Sequence, residues 1–303
     1  MAAPIVQLKN LTKKYGHLTA VDGLSLTVEQ GEIVGFLGPN GAGKSTTLRM
    51  MLTLIKPTSG EILLFGKNIA QERNAILRQI GCIIEKPDFY LYLSARKNLE
   101  IFARMSGISP TAAKLDEMFE LVGLKGRDKD AVKTYSHGMK QRLGIAQTLI
   151  HDPELIILDE PTTGLDPQGI IDLRYLILRL KNDFNKTVIL SSHILNEVEL
   201  IADSMTIISG GKAIVQGKVS ELMSHEELIV SAEPVDLSQA TQVIGASQWQ
   251  KVLKDIHEGK MNFHISKSQI PELSNYLSAN GVHLYGLQYR RTLEDYFLKL
   301  THK

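Results

Sequence analysis

A glycine-rich segment at residues 38–46 constrains this chain more than any other part of its sequence. It reads Gly-Pro-Asn-Gly-Ala-Gly-Lys-Ser-Thr and matches the pattern G-x-x-x-x-G-K-[ST] in full. An apolar run precedes it at residues 33–37, and a helical pattern follows it at residues 44–54. Glycines let such a loop turn its backbone N–H groups inward around a polyphosphate, and the following helix adds the positive end of its dipole. The sequence therefore predicts a strand–loop–helix unit that cradles the phosphates of a nucleoside triphosphate.

Two side chains of this loop carry specific chemistry. Lys44 is expected to reach the β- and γ-phosphates, and the Ser45 hydroxyl is expected to ligate Mg²⁺. The residues of the loop predicted to bind ATP are Gly38, Pro39, Asn40, Gly41, Ala42, Gly43, Lys44, Ser45 and Thr46.

A second apolar run, residues 155–158, ends in two carboxylates, Asp159 and Glu160. A carboxylate at the end of a strand can hold Mg²⁺, often through water, and this is the role expected of Asp159. Its neighbour Glu160 could accept a proton from the attacking water, which is the role of a general base. Strands that end in acids are common, and the prediction depends on pairing this one with the phosphate loop.

Composition excludes several classes of protein. The 303 residues carry a net charge of +1, so a nucleic acid is not expected as the main partner. The single cysteine, Cys82, can form no internal disulfide; a reducing compartment and a buried position in a strand are expected for it. The longest apolar runs are about as long as a strand, and residues 1–10 lack the pattern of a signal peptide. If the protein works at a membrane, another chain is expected to supply the span.

Alternating β-prone runs and helical segments predict an α/β fold with a mostly parallel sheet. The predicted strands are residues 5–8, 24–28, 33–37, 62–65, 80–84, 155–158, 187–190, 204–208 and 213–216. Residues 29–32 predict a hairpin turn between the second and third of them. The β signal disappears from about 94 to 150, where apolar residues at helical spacing predict an inserted helical subdomain at about 90–150. These features together predict one large domain at residues 4–225.

The remainder, residues 228–303, predicts a small α+β accessory domain with a pattern of its own. Its predicted elements are strands at residues 228–232, 250–256, 261–265 and 282–288 and a helix at residues 270–279. Glu258 and Gly259 predict a hairpin turn, and Asn280 with Gly281 predicts the end of the helix.

Further motifs lie at fixed positions around the phosphate loop and the acidic strand end. The segment Ser-His-Gly-Met-Lys-Gln-Arg at residues 136–142, called here the signature segment, precedes the strand, and Gly-Leu-Asp-Pro at 164–167 follows it. His193 closes the next predicted strand, and Tyr15 lies well ahead of the loop. In this order and spacing the motifs resemble the nucleotide-binding domain of ABC transporters over about residues 4–225.

The resemblance implies a role for each of these positions. Tyr15 is similar to the aromatic residue that stacks on adenine. Ser136 and Gly138 are similar to the signature residues that contact the γ-phosphate bound to the opposite subunit. Asp166 resembles the acid that communicates across the dimer, and His193 resembles the histidine that binds the γ-phosphate and positions the water. The resemblance therefore implies an ATP-sandwich dimer, most simply a homodimer, bound to a separate transmembrane permease at the cytoplasmic face of the membrane.

Two positions depart from the family pattern. Glu85 stands where most members have a glutamine that touches Mg²⁺ and the attacking water, and glutamate can still ligate a hard cation. Glu85, with Pro87, Phe89 and Tyr90, resembles the branch that serves bacitracin and lantibiotic-type peptide export. A bland alternative is that Glu85 only pairs with a cation. The second departure is His137, which replaces a glycine of the familiar Leu-Ser-Gly-Gly-Gln.

The leading hypothesis is an ATPase subunit of an exporter of a peptide antibiotic, drug or lipid-like compound, with Glu160 as the general base and Lys44, Glu85 and His193 beside it. The alternatives are a soluble ABC-type ATPase that acts on the ribosome or DNA, or an importer subunit. ABC-type translation factors usually carry two such domains in one chain, and therefore two phosphate loops. This sequence contains a single phosphate loop. A P-loop kinase would not need Ser136, Gly138 or His193.

Overall fold

The computed structural model describes residues 4–224 and 228–290. The chain divides into two compact units between Val219 and Ser220. The boundary predicted from the sequence lies at residues 225 to 228, and a short helix, α8 (Val219–Ser224), lies between the two positions. Each unit is described by itself below.

A six-stranded sheet forms the centre of the first unit. Its strands in spatial order are β10 (Lys212–Lys218), β9 (Ser204–Ser209), β3 (Ile33–Leu37), β8 (Thr187–Ser192), β7 (Leu155–Leu158) and β6 (Ile80–Ile83). All neighbours in the described sheet run parallel except β10, which pairs antiparallel with β9. The mostly parallel core predicted from the sequence is confirmed, and β3 with its phosphate loop lies inside the sheet rather than at an edge.

A separate antiparallel sheet and a set of helices complete the first unit. The sheet has the order β2 (Leu18–Glu29), β1 (Pro4–Tyr15), β4 (Ser59–Leu64) and β5 (Lys67–Asn68). The helices are α1 (Lys44–Met51), α2 (Arg73–Leu77), α3 (Ala95–Met105), α4 (Ala112–Leu121), α5 (His137–Leu149), α6 (Pro167–Asn182) and α7 (Leu195–Glu199). A short 3₁₀ segment, Val132–Thr134, precedes α5.

The helical subdomain is delimited by side chains that satisfy free N–H groups at the helix starts. Ser94 caps α3, Thr111 caps α4 and Ser136 caps α5, each accepting a hydrogen bond from a backbone N–H of the first turn. Ser and Thr are the residues that favour this position, because their hydroxyls replace the missing backbone acceptor. Local sequence thus fixes where these three helices begin.

The hairpin turn predicted at residues 29–32 is wrong. β2 pairs with β1 in the antiparallel sheet, whereas β3 lies between β8 and β9 in the parallel sheet. All five residues of β3 are buried, so the strand needs cover on both faces, and a parallel sheet between helices supplies it. The hairpin that does form joins β1 to β2, with Tyr15 opposite Leu18.

The buried position predicted for Cys82 is also wrong, because its side chain is exposed. It lies on β6, the edge strand of the parallel sheet, and successive side chains of a strand point to opposite faces of the sheet. Its neighbours Gly81 and Ile83 are buried. The edge position follows from the strand order, which the local sequence does not encode.

The second unit is a four-stranded antiparallel sheet with helices between its strands. Its elements are β11 (Leu228–Pro234), α9 (Leu237–Gly245), a 3₁₀ segment (Gln248–Val252), β12 (Leu253–His257), β13 (Lys260–Ile265), α10 (Ile270–Ala279) and β14 (Leu284–Arg290). The strand order β12-β13-β11-β14 gives the split βαβ arrangement of a β-α-β-β-α-β chain. A core of its own, which includes Trp249, Phe263 and Leu273, stabilises the unit.

Two elements of the second unit differ from the prediction. Helix α9 was not predicted, although Asp236 marks its start by accepting hydrogen bonds from the N–H groups of Ser238 and Gln239. The strand predicted at residues 250–256 begins later, at Leu253, because the 3₁₀ segment occupies residues 248–252. The closing run Thr-Leu-Glu-Asp-Tyr-Phe-Leu at residues 292–298, which resembles the end of many ABC ATPases of the export branch, lies outside the described residues.

No helix within residues 4–224 and 228–290 combines the length and the apolar character that crossing a bilayer requires.

A buried histidine predicts how the stability of the first unit varies with pH. His151 donates from Nε2 to the carbonyl of Ile80 at 3.1 Å, and its Nδ1 is buried without a partner in the described part of the chain. Burial lowers the pKa of His151, although the bond to Ile80 and the Asp152 carboxylate raise it and Lys186 adds to the lowering. The unfolded chain therefore binds a proton more readily than the folded one once the pH falls below about 6.5.

We expect the free energy of unfolding to decrease as the pH falls from 7.5 to 5.5, and His151→Gln to make this slope shallower. Glutamine can keep a donor near Ile80 but does not titrate. Urea unfolding across this pH range measures the slope. His17→Gln, at an exposed histidine in the turn between β1 and β2, is the control. An identical slope for His151→Gln and the unchanged protein would contradict the assignment.

Candidate functional site

The phosphate loop connects the carboxyl end of β3 to the start of α1. Gly43 lies immediately before α1 with φ 107°, and a Cβ there would come within 2.5 Å of the carbonyl of Ala20. A Cβ at Gly38 would come within 2.3 Å of the carbonyl of Ile208. Only glycine fits both positions, so the loop needs these residues for its close backbone packing as well as for its shape. The strand–loop–helix context predicted from the sequence is present.

Lys44 is the best-fixed cation of the site. Its Nζ donates to the carbonyl oxygens of Gly38, at 2.7 Å, and Pro39, at 3.3 Å. It also lies 3.2 Å from Oε1 of Glu160, and the side chain is only 5% exposed. The ammonium group is therefore held over the loop by its own backbone and by the acidic strand end.

The two acids after β7 face different surroundings. Asp159 is buried and accepts a hydrogen bond from the Ser191 hydroxyl, while its N–H donates to the carbonyl of Ile83 at 2.9 Å. The N–H of Glu160 donates to the same Ser191 hydroxyl at 2.8 Å. Ser191, at the end of β8, thus joins both acids to the neighbouring strand. The sequence alone indicated no role for Ser191.

Glu160 has a backbone conformation that is rare for a residue with a side chain. Its φ is 48°, in the left-handed region, which turns the chain sharply after β7. One carboxylate oxygen meets Lys44, and the other lies 2.6 Å from Nδ1 of His193. An ionised carboxylate only accepts hydrogen bonds, so Nδ1 carries the proton. Glu160, Lys44 and His193, predicted separately from three motifs, meet at one point.

Glu85 follows β6, the strand beside β7, in the same way that Glu160 follows β7. β6 is paired with β7 in parallel, Ile83 opposite Leu158, so both glutamates follow the carboxyl ends of their strands two residues later. Glu85 also has a left-handed backbone, with φ 68°. Its side chain is 70% exposed and forms an ion pair with Arg49, in the last turn of α1. The alternative that Glu85 pairs with a cation thus describes the geometry, and Arg49 is a partner that the sequence analysis did not identify.

Ser136, Gly138 and Asp166 lie at helix starts. Ser136 accepts from the N–H of Met139 at 3.2 Å, and Asp166 accepts from the N–H of Gly169 at 3.0 Å, so both act as N-caps. A Cβ at Gly138 would meet a methyl group of Leu165 at 3.8 Å, which brings the start of α5 against the loop that precedes α6. Helix starts present free N–H groups and a positive dipole end, which suits them to anions.

Tyr15 lies at the end of β1 with its ring 48% exposed. The Nζ of Lys13 lies 4.8 Å from the centre of the ring, in range of a cation–π interaction. An exposed aromatic ring at a strand end is free to stack on a planar ligand. The structure does not join Tyr15 by a contact to Lys44 or Glu160.

The donors near the phosphate loop suit Mg²⁺. The Ser45 hydroxyl, on the loop, and the Asp159 carboxylate, directly after β7, are hard oxygen ligands. Within residues 4–224 and 228–290 no cluster of three or more His, Cys, Asp or Glu side chains forms a metal cage. Mg²⁺ is commonly bound by one or two protein ligands together with substrate phosphates and water, so this sparse donor set fits it.

The chain is similar to known proteins over nearly its whole length. Residues 21–163 match the family model described as "ABC transporter". The bacitracin transport ATP-binding protein BcrA of Bacillus licheniformis is 43% identical over 298 residues, which cover 98% of this chain and 97% of the relative. The lantibiotic transport ATP-binding protein SrtF of Streptococcus pyogenes is 42% identical over 224 residues, 74% of this chain and 95% of the relative.

A solved structure shares the same architecture. It is a dimeric ATP-binding cassette in a post-hydrolysis state, bound to ADP and Pi. It matches with a TM-score of 0.63 and 27% identity, and the match covers 71% of this chain and 98% of that one.

Proposed function

Because the chain belongs to the ATP-binding subunits of ABC transporters, we propose that it powers the export of a peptide antibiotic through a separate membrane-spanning permease. It binds ATP, and its hydrolysis of ATP is coupled to transport. Subunits of this family dimerise and work with a permease, and we propose a homodimer at the cytoplasmic face of the membrane. The bacitracin relative gives the strongest support for a peptide antibiotic as the cargo, because its similarity extends over both units. The similarity to the lantibiotic relative covers 224 residues, about the length of the first unit.

The observation that carries the proposed mechanism is the meeting of Lys44, Glu160 and His193. Lys44 is positioned to balance the negative charge of the β- and γ-phosphates. Glu160, in contact with His193, accepts the proton of the water that attacks the γ-phosphorus, and His193 holds the carboxylate in place. Ser45 and Asp159 would hold Mg²⁺, which would neutralise negative charge on the phosphates.

Three residues at helix starts are the candidates for contact with a second subunit. Ser136 and Gly138 present the start of α5, and Asp166 presents the start of α6. We propose that the start of α5 contacts the γ-phosphate of the nucleotide bound to the partner subunit, where its N–H groups and dipole favour the anion, and that Asp166 contacts the partner subunit itself. Tyr15 stacks on the adenine of the nucleotide bound to its own phosphate loop, which its exposed ring allows.

The cargo is tested by expressing the chain, together with the permease that co-purifies with it, in a bacterium sensitive to bacitracin and to lantibiotics. The inhibitory concentration of one of these peptides is expected to rise, and the rise is expected to disappear when the chain carries Glu160→Gln. An active complex that changes resistance to neither class of peptide would contradict peptide antibiotic export. ATP-dependent uptake into right-side-out vesicles would favour the importer alternative.

The Arg49–Glu85 pair leads to a separate prediction. We expect Glu85→Ala to lower permease-stimulated ATP turnover more than it weakens ATP binding, because Glu85 follows the strand end next to Glu160 but is paired with Arg49 rather than with the phosphate loop. Arg49→Ala should have a similar effect if the pair holds Glu85 in its place. Turnover and nucleotide affinity, measured separately, test this. Equal losses of both in Glu85→Ala would contradict the prediction.

A further inference from the structure

His137, the residue that departs from the family's signature, makes a specific contact with the loop that follows β7. Its Nε2 lies 3.2 Å from the carbonyl oxygen of Thr163. That oxygen can only accept, so Nε2 is the donor. The imidazole also lies over Gly164, where a Cβ would come within 3.3 Å of Nε2. The ring therefore packs closely against Gly164, where a Cβ would be tight, and the contact combines a hydrogen bond with close packing.

Thr163 continues this contact to the proposed general base. Its N–H donates to the carbonyl of Glu160 at 3.2 Å, which closes the turn after β7. Its hydroxyl lies 3.4 Å from Oε2 of Glu160, the same oxygen that meets His193. Two successive hydrogen bonds thus join the first residue of α5 to the carboxylate of Glu160.

The other side of this turn is fixed from a different direction. The hydroxyl of Thr162 donates to a carboxylate oxygen of Glu197 on α7, at 2.6 Å. Glu160 itself has a left-handed backbone, a conformation that persists only where the surrounding structure holds it. Thr162 ties the turn to α7, and Thr163 ties it to α5 through His137.

We propose that His137 is a positioning residue for Glu160, acting through Thr163. The proposal rests on the role of Glu160 put forward above. His137 holds the carbonyl of Thr163, and this keeps the Thr163 hydroxyl within reach of the carboxylate that takes the proton. A glycine at position 137, as in the common signature, has no side chain to make this bond. The start of α5 and the general base of the same subunit are thereby connected.

The test is a double-mutant cycle on ATP hydrolysis by the whole chain with its permease. His137→Ala is expected to lower kcat by about three- to tenfold, the effect of losing one hydrogen bond, while the ATP affinity stays within about twofold. His137→Gln can still donate to the Thr163 carbonyl and should recover most of the lost rate. Thr163→Val removes the hydroxyl that reaches Glu160. Adding His137→Ala to this variant should cause little further loss of kcat, because both residues act on Glu160 through the same pair of hydrogen bonds.

Several results would overturn the proposal. Losses of kcat that multiply in the double variant would mean that His137 and Thr163 act independently. A loss that His137→Gln does not recover, or one matched by an equal loss of ATP affinity, would mean that His137 only supports the fold. Glu160→Gln separates this question from the proposed mechanism: if that variant hydrolyses ATP normally, the base is misassigned, whereas an inactive Glu160→Gln with a multiplicative cycle rejects only the role of His137.

Discussion

Replacing Glu160 with glutamine is expected to lower ATP turnover by at least about a hundredfold while leaving ATP binding close to normal. Glutamine has the same shape but cannot take up a proton from the attacking water, and general base catalysis contributes about 10²- to 10⁴-fold. The backbone of Glu160 keeps its bond to Ser191 in the variant, so the turn after β7 should persist. Lys44 loses a carboxylate partner and remains available to the phosphates. Phosphate release and the binding of a fluorescent ATP analogue measure the two quantities.

A matched control comes from the opposite end of β7, where Glu154 precedes the strand. Glu154 is exposed at the amino end of β7, away from the phosphate loop, and Glu154→Gln makes the same chemical change there. Its turnover should equal that of the unchanged protein. Full activity of Glu160→Gln, or similar losses in both variants, would show that Glu160 is not the base.

Replacing Lys44 with methionine is expected to weaken ATP binding by about tenfold or more and to lower turnover at least about a hundredfold. Methionine has a similar length and fits an enclosed site, but it supplies no charge to the phosphates; hydrogen bonds to charged groups contribute about 1.5 to 3 kcal/mol each. The variant also leaves Glu160 without its cation, so the enclosed carboxylate repels the incoming triphosphate. Binding and turnover therefore fall together, unlike in Glu160→Gln.

Lys67→Met serves as the control, because Lys67 is an exposed residue of the antiparallel sheet that pairs with Glu72. It should bind and hydrolyse ATP normally. Normal ATP affinity in Lys44→Met would mean that the loop holds the phosphates by its backbone alone. Thermal unfolding of all the variants verifies that losses do not come from misfolding.

The parts of the site that the sequence predicted are those whose residues are neighbours in the chain. The glycines of the phosphate loop, the acids after β7 and the caps of the helices are each specified within a few residues. The fold class could be predicted for a related reason, since buried parallel strands appear as continuous apolar runs.

The rest depends on contacts between distant segments. The partner of Glu85 is Arg49, 36 positions earlier, and nothing around either residue indicates the pairing. Ser191 joins both acids only because β8 lies beside β7. The exposure of Cys82 and the separation of β2 from β3 likewise follow from the order of strands in the sheets, which is settled by the packing of the whole unit.

Helix α1 carries a cation at each end of its short length. Lys44, its first residue, meets Glu160, and Arg49, in its last turn, meets Glu85. Eight residues of α-helix span about 12 Å. One short helix therefore contacts both glutamates that follow the ends of the neighbouring strands β6 and β7. A substitution that kinks α1 is expected to disturb both ion pairs at once.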